Sequence, residues 1–121
     1  MEVRDFVTYG LALKLEAKGF DNDFNYGYND KGDICVPVYN IDEDQLMTMT
    51  PCPEIHEVLK WLREKKNIEV VASFSYRDRV WGYQVGDMTL SEDSILAYDY
   101  SFPTYEEAAL AGIEYVINNL I

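Results

Sequence analysis

The stretch PEIHEVLKWLREKKNIEVVASFSYRDRVWGYQV, residues 53–85, decides the fold. Pro53 suits the first turn of a helix, where the N–H that proline lacks would have no partner. Cations crowd residues 63–66, where they complement the negative end of a helix dipole, and Asn67 is a plausible stop. The apolar residues recur at the three- and four-residue spacing of one helix face. They are Ile55, Val58, Leu59 and Leu62.

From Ile68 onward the apolar spacing changes from the helical period to a period of two. Residues 68–76 alternate as a half-buried strand does. The polar segment Arg77–Asp78–Arg79 then predicts a turn, and the alternation resumes at Trp81, Tyr83 and Val85. The stretch therefore predicts a helix, a tight connection and a hairpin, with the helix lying on one face of the sheet.

The residues before this stretch predict a helix and two strands. Thr8 is a good N-cap, and Gly19 followed by Phe20 fits the end of the helix. Residues 24–28 and 34–38 alternate as strands on either side of a turn-forming Asn-Asp-Lys-Gly segment. Because proline cannot donate to a ladder, Pro37 predicts that the second strand lies at a sheet edge or contains a bulge.

The residues after it predict one more strand and a last helix. Leu96, Tyr98, Tyr100 and Phe102 alternate along a strand with one aromatic face. Thr104 then opens a capped helix. The chain is thus predicted to be a single α+β domain, residues 1–121, with about five mostly antiparallel strands, three helices packed on the sheet and the order α-β-β-α-β-β-β-α.

Charge and cysteine content limit the possible classes of function. The net charge is −12, and no Lys or Arg follows Arg79, so direct binding of nucleic acid is disfavoured. No apolar run is long enough for a membrane span. The N-terminal residues lack the features of a signal peptide, which predicts the cytoplasm. We accordingly expect Cys35 and Cys52 to be buried, reduced thiols.

Three stretches together resemble a family. They are residues 7–20, with Val-Thr-Tyr and Lys-Gly-Phe at their ends; residues 58–68, which contain Trp-Leu-Arg-Glu-Lys; and residues 104–113, which open Thr-Tyr-Glu-Glu-Ala. The chain resembles the uncharacterised family of short acidic proteins from Bacteroides-type gut bacteria, their phages and other mobile elements. The family has no established activity, so no site residue carries over. The resemblance implies a small accessory protein of a bacterium or phage.

Candidate catalytic and metal sites are weak in this sequence. His56 is the only histidine, and its closeness to Cys52 follows from the chain alone. A zinc site needs about four ligands, and no suitably spaced cluster exists. Residues 21–32 begin like a calcium loop, but Tyr26 replaces its glycine and Gly32 its final glutamate. Asp42–Asp44 is interpreted as a solvated loop. We therefore expect no cofactor and no metal.

Aromatic residues on the strands are the most distinctive feature. One sheet face must meet the helices, and we expect most of the aromatic side chains to line it. Alternatively, helices cover only one face, and part of the aromatic set stays exposed as a binding surface. The candidate interaction surface consists of Tyr76, Arg77, Arg79, Trp81 and Tyr83.

These observations favour a non-enzymatic accessory protein that binds another protein through a sheet edge or an aromatic patch. Homodimer formation is left open. One alternative is a small enzyme that uses carboxylate chemistry, which would require a cleft with two close, buried acids. Another is an acidic mimic of nucleic acid that occupies a DNA-binding protein, suggested by the residues after Arg79.

Overall fold

The computed structural model describes residues 6–20, 26–28, 35–37, 49–89 and 95–121. The predicted α+β class and the order of the predicted elements are confirmed, and residues 1–54 and 55–121 form two compact units. The described elements are α1 (Tyr9–Ala17), β1 (Tyr26–Tyr28), β2 (Cys35–Pro37), β3 (Thr50–Pro51), α2 (Ile55–Lys66), β4 (Ile68–Ser75), β5 (Val80–Asp87), β6 (Ile95–Phe102) and α3 (Tyr105–Asn119).

The described strands form two antiparallel sheets, in the orders β2-β1-β3 and β4-β5-β6. The sequence predicted one sheet, because alternation along a strand does not reveal which strands pair. It also missed β3, which is only two residues long. No helix in the described ranges is both long and apolar enough to cross a membrane.

The first unit is organised by α1, whose two ends match the prediction. The Thr8 hydroxyl accepts a hydrogen bond from the Leu11 N–H at 3.3 Å. Gly19 has φ 89°, and the Phe20 N–H donates to the Leu15 carbonyl at 3.0 Å. This pattern satisfies carbonyl groups at the helix end that would otherwise have no partner.

The small sheet of the first unit has β1 at its centre, so Pro37 lies in an edge strand as predicted. The Tyr28 hydroxyl donates to the Val7 carbonyl at 2.6 Å. The Phe6 and Tyr26 rings are 5.0 Å apart. These contacts connect the segment before α1 to β1.

Two predictions at the end of this unit are wrong: Pro53 does not lie in the first turn of the helix, and Cys52 is not a reduced thiol. The Val7 N–H donates to the Pro53 carbonyl at 3.1 Å, and Phe6 and Glu54 form an isolated antiparallel bridge. This extended pairing delays the helix, which begins at Ile55. Cys52 is buried as expected but is disulfide-bonded rather than reduced. The side chain of Cys35 lies outside the described part of the chain.

The second unit begins with α2, and the predicted stripe is buried. Trp61 is buried as well, and the Lys66 ammonium lies 5.4 Å from its ring centre. Asn67 ends the helix with φ 55°, a left-handed conformation that asparagine tolerates better than most residues. α2 contacts β4 and α3.

The hairpin of β4 and β5 follows the predicted alternation. Phe74 pairs with Trp81, and Val70 pairs with Val85. The connecting turn closes with the Arg79 N–H donating to the Ser75 carbonyl at 2.8 Å. The strand therefore ends at Ser75, one residue earlier than expected.

The last helix, α3, packs closely on the inner face of this sheet. Thr104 caps it by accepting from the Glu107 N–H at 3.2 Å. A Cβ atom at Gly112 would lie 2.6 Å from Cγ1 of Val70 and 3.1 Å from Cβ of Tyr83. The lack of a side chain at Gly112 therefore allows α3 to lie close to β4 and β5.

Two register shifts interrupt the pairing of β5 with β6, one between Trp81 and Tyr83 and one between Val85 and Gly86. Phe102 pairs with Trp81, whereas Tyr98 pairs with Gln84. Opposite residues share a sheet face, so Phe102 lies on the inner face and Tyr98 on the outer. The single aromatic face predicted for this strand is therefore wrong, because each shift changes the alternation.

We expect Gly82→Ala to lower the free energy of unfolding by about 1–3 kcal/mol, the usual cost of overpacking. The added Cβ would lie 2.2 Å from the Tyr100 ring and 2.5 Å from the Asp99 carbonyl oxygen. Gly10→Ala is the matched control, since nothing lies within 4 Å of its Cβ. Urea unfolding that shows Gly82→Ala to be as stable as the wild type would contradict the described packing.

The disulfide at Cys52 gives a second test. Because the chain has two cysteines, we expect unreduced protein in denaturant to give no reaction with a thiol reagent, and reduced protein to give two equivalents. A full thiol signal without reductant would instead support the original expectation of reduced cysteines.

Candidate interaction surface

The structure divides the predicted interaction residues between the surface and the core. Tyr76, Arg77 and Arg79 are exposed in the turn between β4 and β5. The Tyr76 ring contacts the edge of Phe74, with ring centres 5.2 Å apart. These three residues are therefore accessible to a partner.

Trp81 and Tyr83 lie on the inner face. Trp81 is half-buried, with its ring centre 5.3 Å from Phe74 and 5.7 Å from Tyr105. Tyr83 is buried, and its ring packs near Phe102 and Tyr115. Tyr83 is thus a core residue and cannot contribute to an exposed surface, because α3 covers it.

The outer face of the β4-β5-β6 sheet carries exposed apolar side chains that were not among the predicted site residues. Tyr98 is 73% exposed, Ile95 57% and Leu96 41%. Val71 on β4 is also exposed and pairs with Gln84, which pairs in turn with Tyr98. We call Val71, Ile95, Leu96, Tyr98 and Tyr100 the outer-face patch.

Tyr100 is the fixed member of this patch. Its ring occupies the space above Gly82 that a side chain would fill. Its hydroxyl lies 3.1 Å from the Ser73 hydroxyl and accepts from the Gln84 amide at 3.1 Å. All three strands of the sheet thereby hold one aromatic ring in place.

A shallow depression lies beside this ring, on the β6 side of the sheet. It is lined by Gln84, Ile95, Leu96, Ala97, Tyr98 and Tyr100. Most of the lining is apolar or aromatic, so the depression suits an apolar group better than a charged one. The sequence predicts Tyr98 and Tyr100 as strand aromatics, but alternation alone does not assign them to this face.

The charges around the sheet are unevenly distributed. The strands β5 and β6 and the helix α3 contain no Lys or Arg. Asp87 is the last residue of β5 and pairs with Ile68 of β4, and Asp99 lies on β6. The cations of this unit are on α2 and at the turn of residues 76–79. β6 itself therefore carries one exposed acid, Asp99, and no cation.

The described residues offer little support for acid–base chemistry. Thr50 is the only buried polar or charged residue among them, so no carboxylate in these ranges occupies a buried cleft. His56 is exposed on the first turn of α2. Residues 21–32, which only begin like a calcium loop, lie largely outside the described residues, and Asp42–Asp44 lies wholly outside them.

Two ionisable groups on β5 have altered pKa values. Burial of the phenol raises the pKa of Tyr83, and the negative charge of Asp99, followed by Tyr115, raises it further. Hydrogen bonds from the Thr89 side chain and N–H lower the pKa of Asp87. Neither shift places a group near neutral pH, where a general acid or base would work best.

Comparison with protein-family models, with curated proteins and with solved structures gives no match. The resemblance to the acidic family of gut bacteria and phages therefore stays a prediction.

We expect Asp99→Asn to lower the pKa of Tyr83 only in part, since burial is the larger cause of its elevation. The neutral phenol stabilises the fold fully below about pH 10, where a free tyrosine ionises. That contribution is lost as the pH rises through the folded-state value. NMR of ¹³Cζ-labelled tyrosine, with Tyr83→Phe for assignment, measures the change. An identical Tyr83 midpoint in both proteins would show that Asp99 does not act on it.

Proposed function

We propose that this chain is a small, non-enzymatic accessory protein of a bacterium or phage that binds another protein through the outer-face patch. The observation that carries the proposal is the exposed set Ile95, Leu96 and Tyr98 on one strand. Contiguous exposed apolar side chains on a folded domain are typical of interaction sites.

The architecture of the second unit supports this role. Helix α3 contacts all three strands of the sheet and covers inner-face residues such as Tyr83. No described helix of this unit covers the outer face, where Tyr98 lies. Tyr100 is already held by Ser73 and Gln84, so binding would require little loss of side-chain freedom at this position.

The negative net charge of the chain limits the kinds of partner that it can bind. The net charge of −12 disfavours nucleic acid and any strongly acidic protein. A carboxylate enzyme finds no support in the described residues, because none of their acids is buried. The acidic mimic of nucleic acid remains an alternative, and it predicts a partner held by charge rather than by the patch.

The proposal predicts that Leu96→Glu weakens partner binding at least tenfold, since it places a charge in an apolar contact. Leu13→Glu is the matched control, because Leu13 is 42% exposed and Leu96 is 41% exposed, and the substitution is the same. Tagged wild-type and variant proteins would capture partners from host lysate, and calorimetry with the purified partner would give the affinities.

Three outcomes are informative. A partner that is lost with Leu96→Glu and kept with Leu13→Glu supports the proposal. A DNA-binding protein that is retained equally by both variants but released by salt would favour the acidic mimic instead. A partner unaffected by either variant and by salt would show that the patch is not the binding site. Melting temperatures of both variants control for unfolding.

A further inference from the structure

The β6 edge of the sheet points to the kind of partner segment that the patch would take. We infer, on the basis of the proposed function, that a partner protein adds an extended segment as a strand beside β6, and that apolar residues alternate with Lys or Arg in this segment.

Among the described strands, β6 lies at an edge of its sheet. In the described part of the chain, β6 pairs with β5 on one side and no strand pairs with its other side. The strand is eight residues long and none of them is buried. An edge of this kind presents unpaired N–H and C=O groups that another chain can bind.

β6 lacks two of the features that commonly prevent an edge strand from pairing with another chain. No proline or lysine lies within residues 95–102, although both commonly block edge pairing. The two register shifts with β5 interrupt the ladder, and Ala97–Asp99 remains as the regular stretch between them. An added strand would therefore pair over a short central segment.

The side chains flanking that segment specify the pattern of the partner. Tyr98 faces outward, beside the depression lined by Ile95 and Tyr100. Asp99 is exposed and pairs with Tyr83, which places it on the opposite side of the sheet. Successive residues of an added strand point to alternate faces. One set would contact the apolar depression, and the other would lie near the Asp99 carboxylate.

Charge complementarity favours Lys or Arg at the positions of the added strand that would lie near the Asp99 carboxylate. Residues 80–121 contain seven acids and no Lys or Arg. A second copy of this chain would bring the same strand to the edge, with Asp99 and no cation, and each molecule carries a net charge of −12. Like charges directly opposite are unfavourable in a sheet, so a basic segment of a different protein fits better than a homodimer.

The test uses the full chain, immobilised in its oxidised form, and a phage-displayed library of random 12-residue peptides. We expect the selected peptides to alternate apolar residues with Lys or Arg. A synthetic peptide of the consensus sequence should lose affinity as salt rises. Asp99→Asn should weaken it about two- to fivefold, the usual range for an exposed charge pair.

Backbone pairing is tested separately from side-chain contact. A peptide of the same sequence, N-methylated at alternate residues on its pairing edge, should lose binding, because it cannot donate to the strand. N-methylation at the intervening residues is the matched control and should leave binding intact. Equal affinity of the two methylated peptides would overturn strand addition.

Peptide enrichment and the dependence of binding on Leu96 separate failure of the strand inference from failure of the proposed function. No enrichment of peptides, or enrichment without cationic residues, overturns the basic-strand inference. If the captured lysate partner still depends on Leu96, the interaction function stands while the inference fails. If the peptides bind equally well to Leu96→Glu and to the wild type, they do not use the patch, which also overturns the inference.

Discussion

The close approach of α3 to the sheet at Gly112 is the constraint on which the second unit depends. There is no room for a Cβ at this position, since Cγ1 of Val70 would be 2.6 Å away. The approach allows Ala108, Ala109 and Ile113 to be fully buried, so that the inner face excludes water and contributes hydrophobic stabilisation. Because α3 and α2 both belong to this packing, neither is available to cover the opposite face.

The register shifts in β6 then determine what the uncovered face carries. Strict alternation would place Tyr98, Tyr100 and Phe102 on one side. The shift between Trp81 and Tyr83 instead sends Phe102 towards Tyr83 and leaves the Tyr100 ring above Gly82. Bulges commonly redirect side chains in this way at functional edges. An irregularity in hydrogen bonding thus creates the difference between a buried aromatic core and an exposed aromatic patch.

The features that could be predicted from sequence are the local ones. Thr8, Gly19 and Thr104 act through hydrogen bonds within a few residues, and helix stripes follow from the helical period. What could not be predicted depends on distant partners. The bridge of Phe6 with Glu54 delays α2, and the pairing of Thr50 with Tyr28 creates β3. Tyr83 was misplaced on the candidate surface because alternation gives two faces without saying which one a helix covers.

The negative charge of the chain has two consequences at the β6 edge. An open, partly apolar edge strand is a risk for self-association, and residues 95–102 lack the lysine or proline that would reduce it. The excess of acids reduces that risk by repulsion between copies, while leaving the backbone groups of Ala97–Asp99 able to pair. The same negative charge would attract the cationic segment that we propose and raise its rate of encounter. A charge distribution that only kept copies apart could use either sign, but under the proposed function the negative sign would also favour a cationic partner segment.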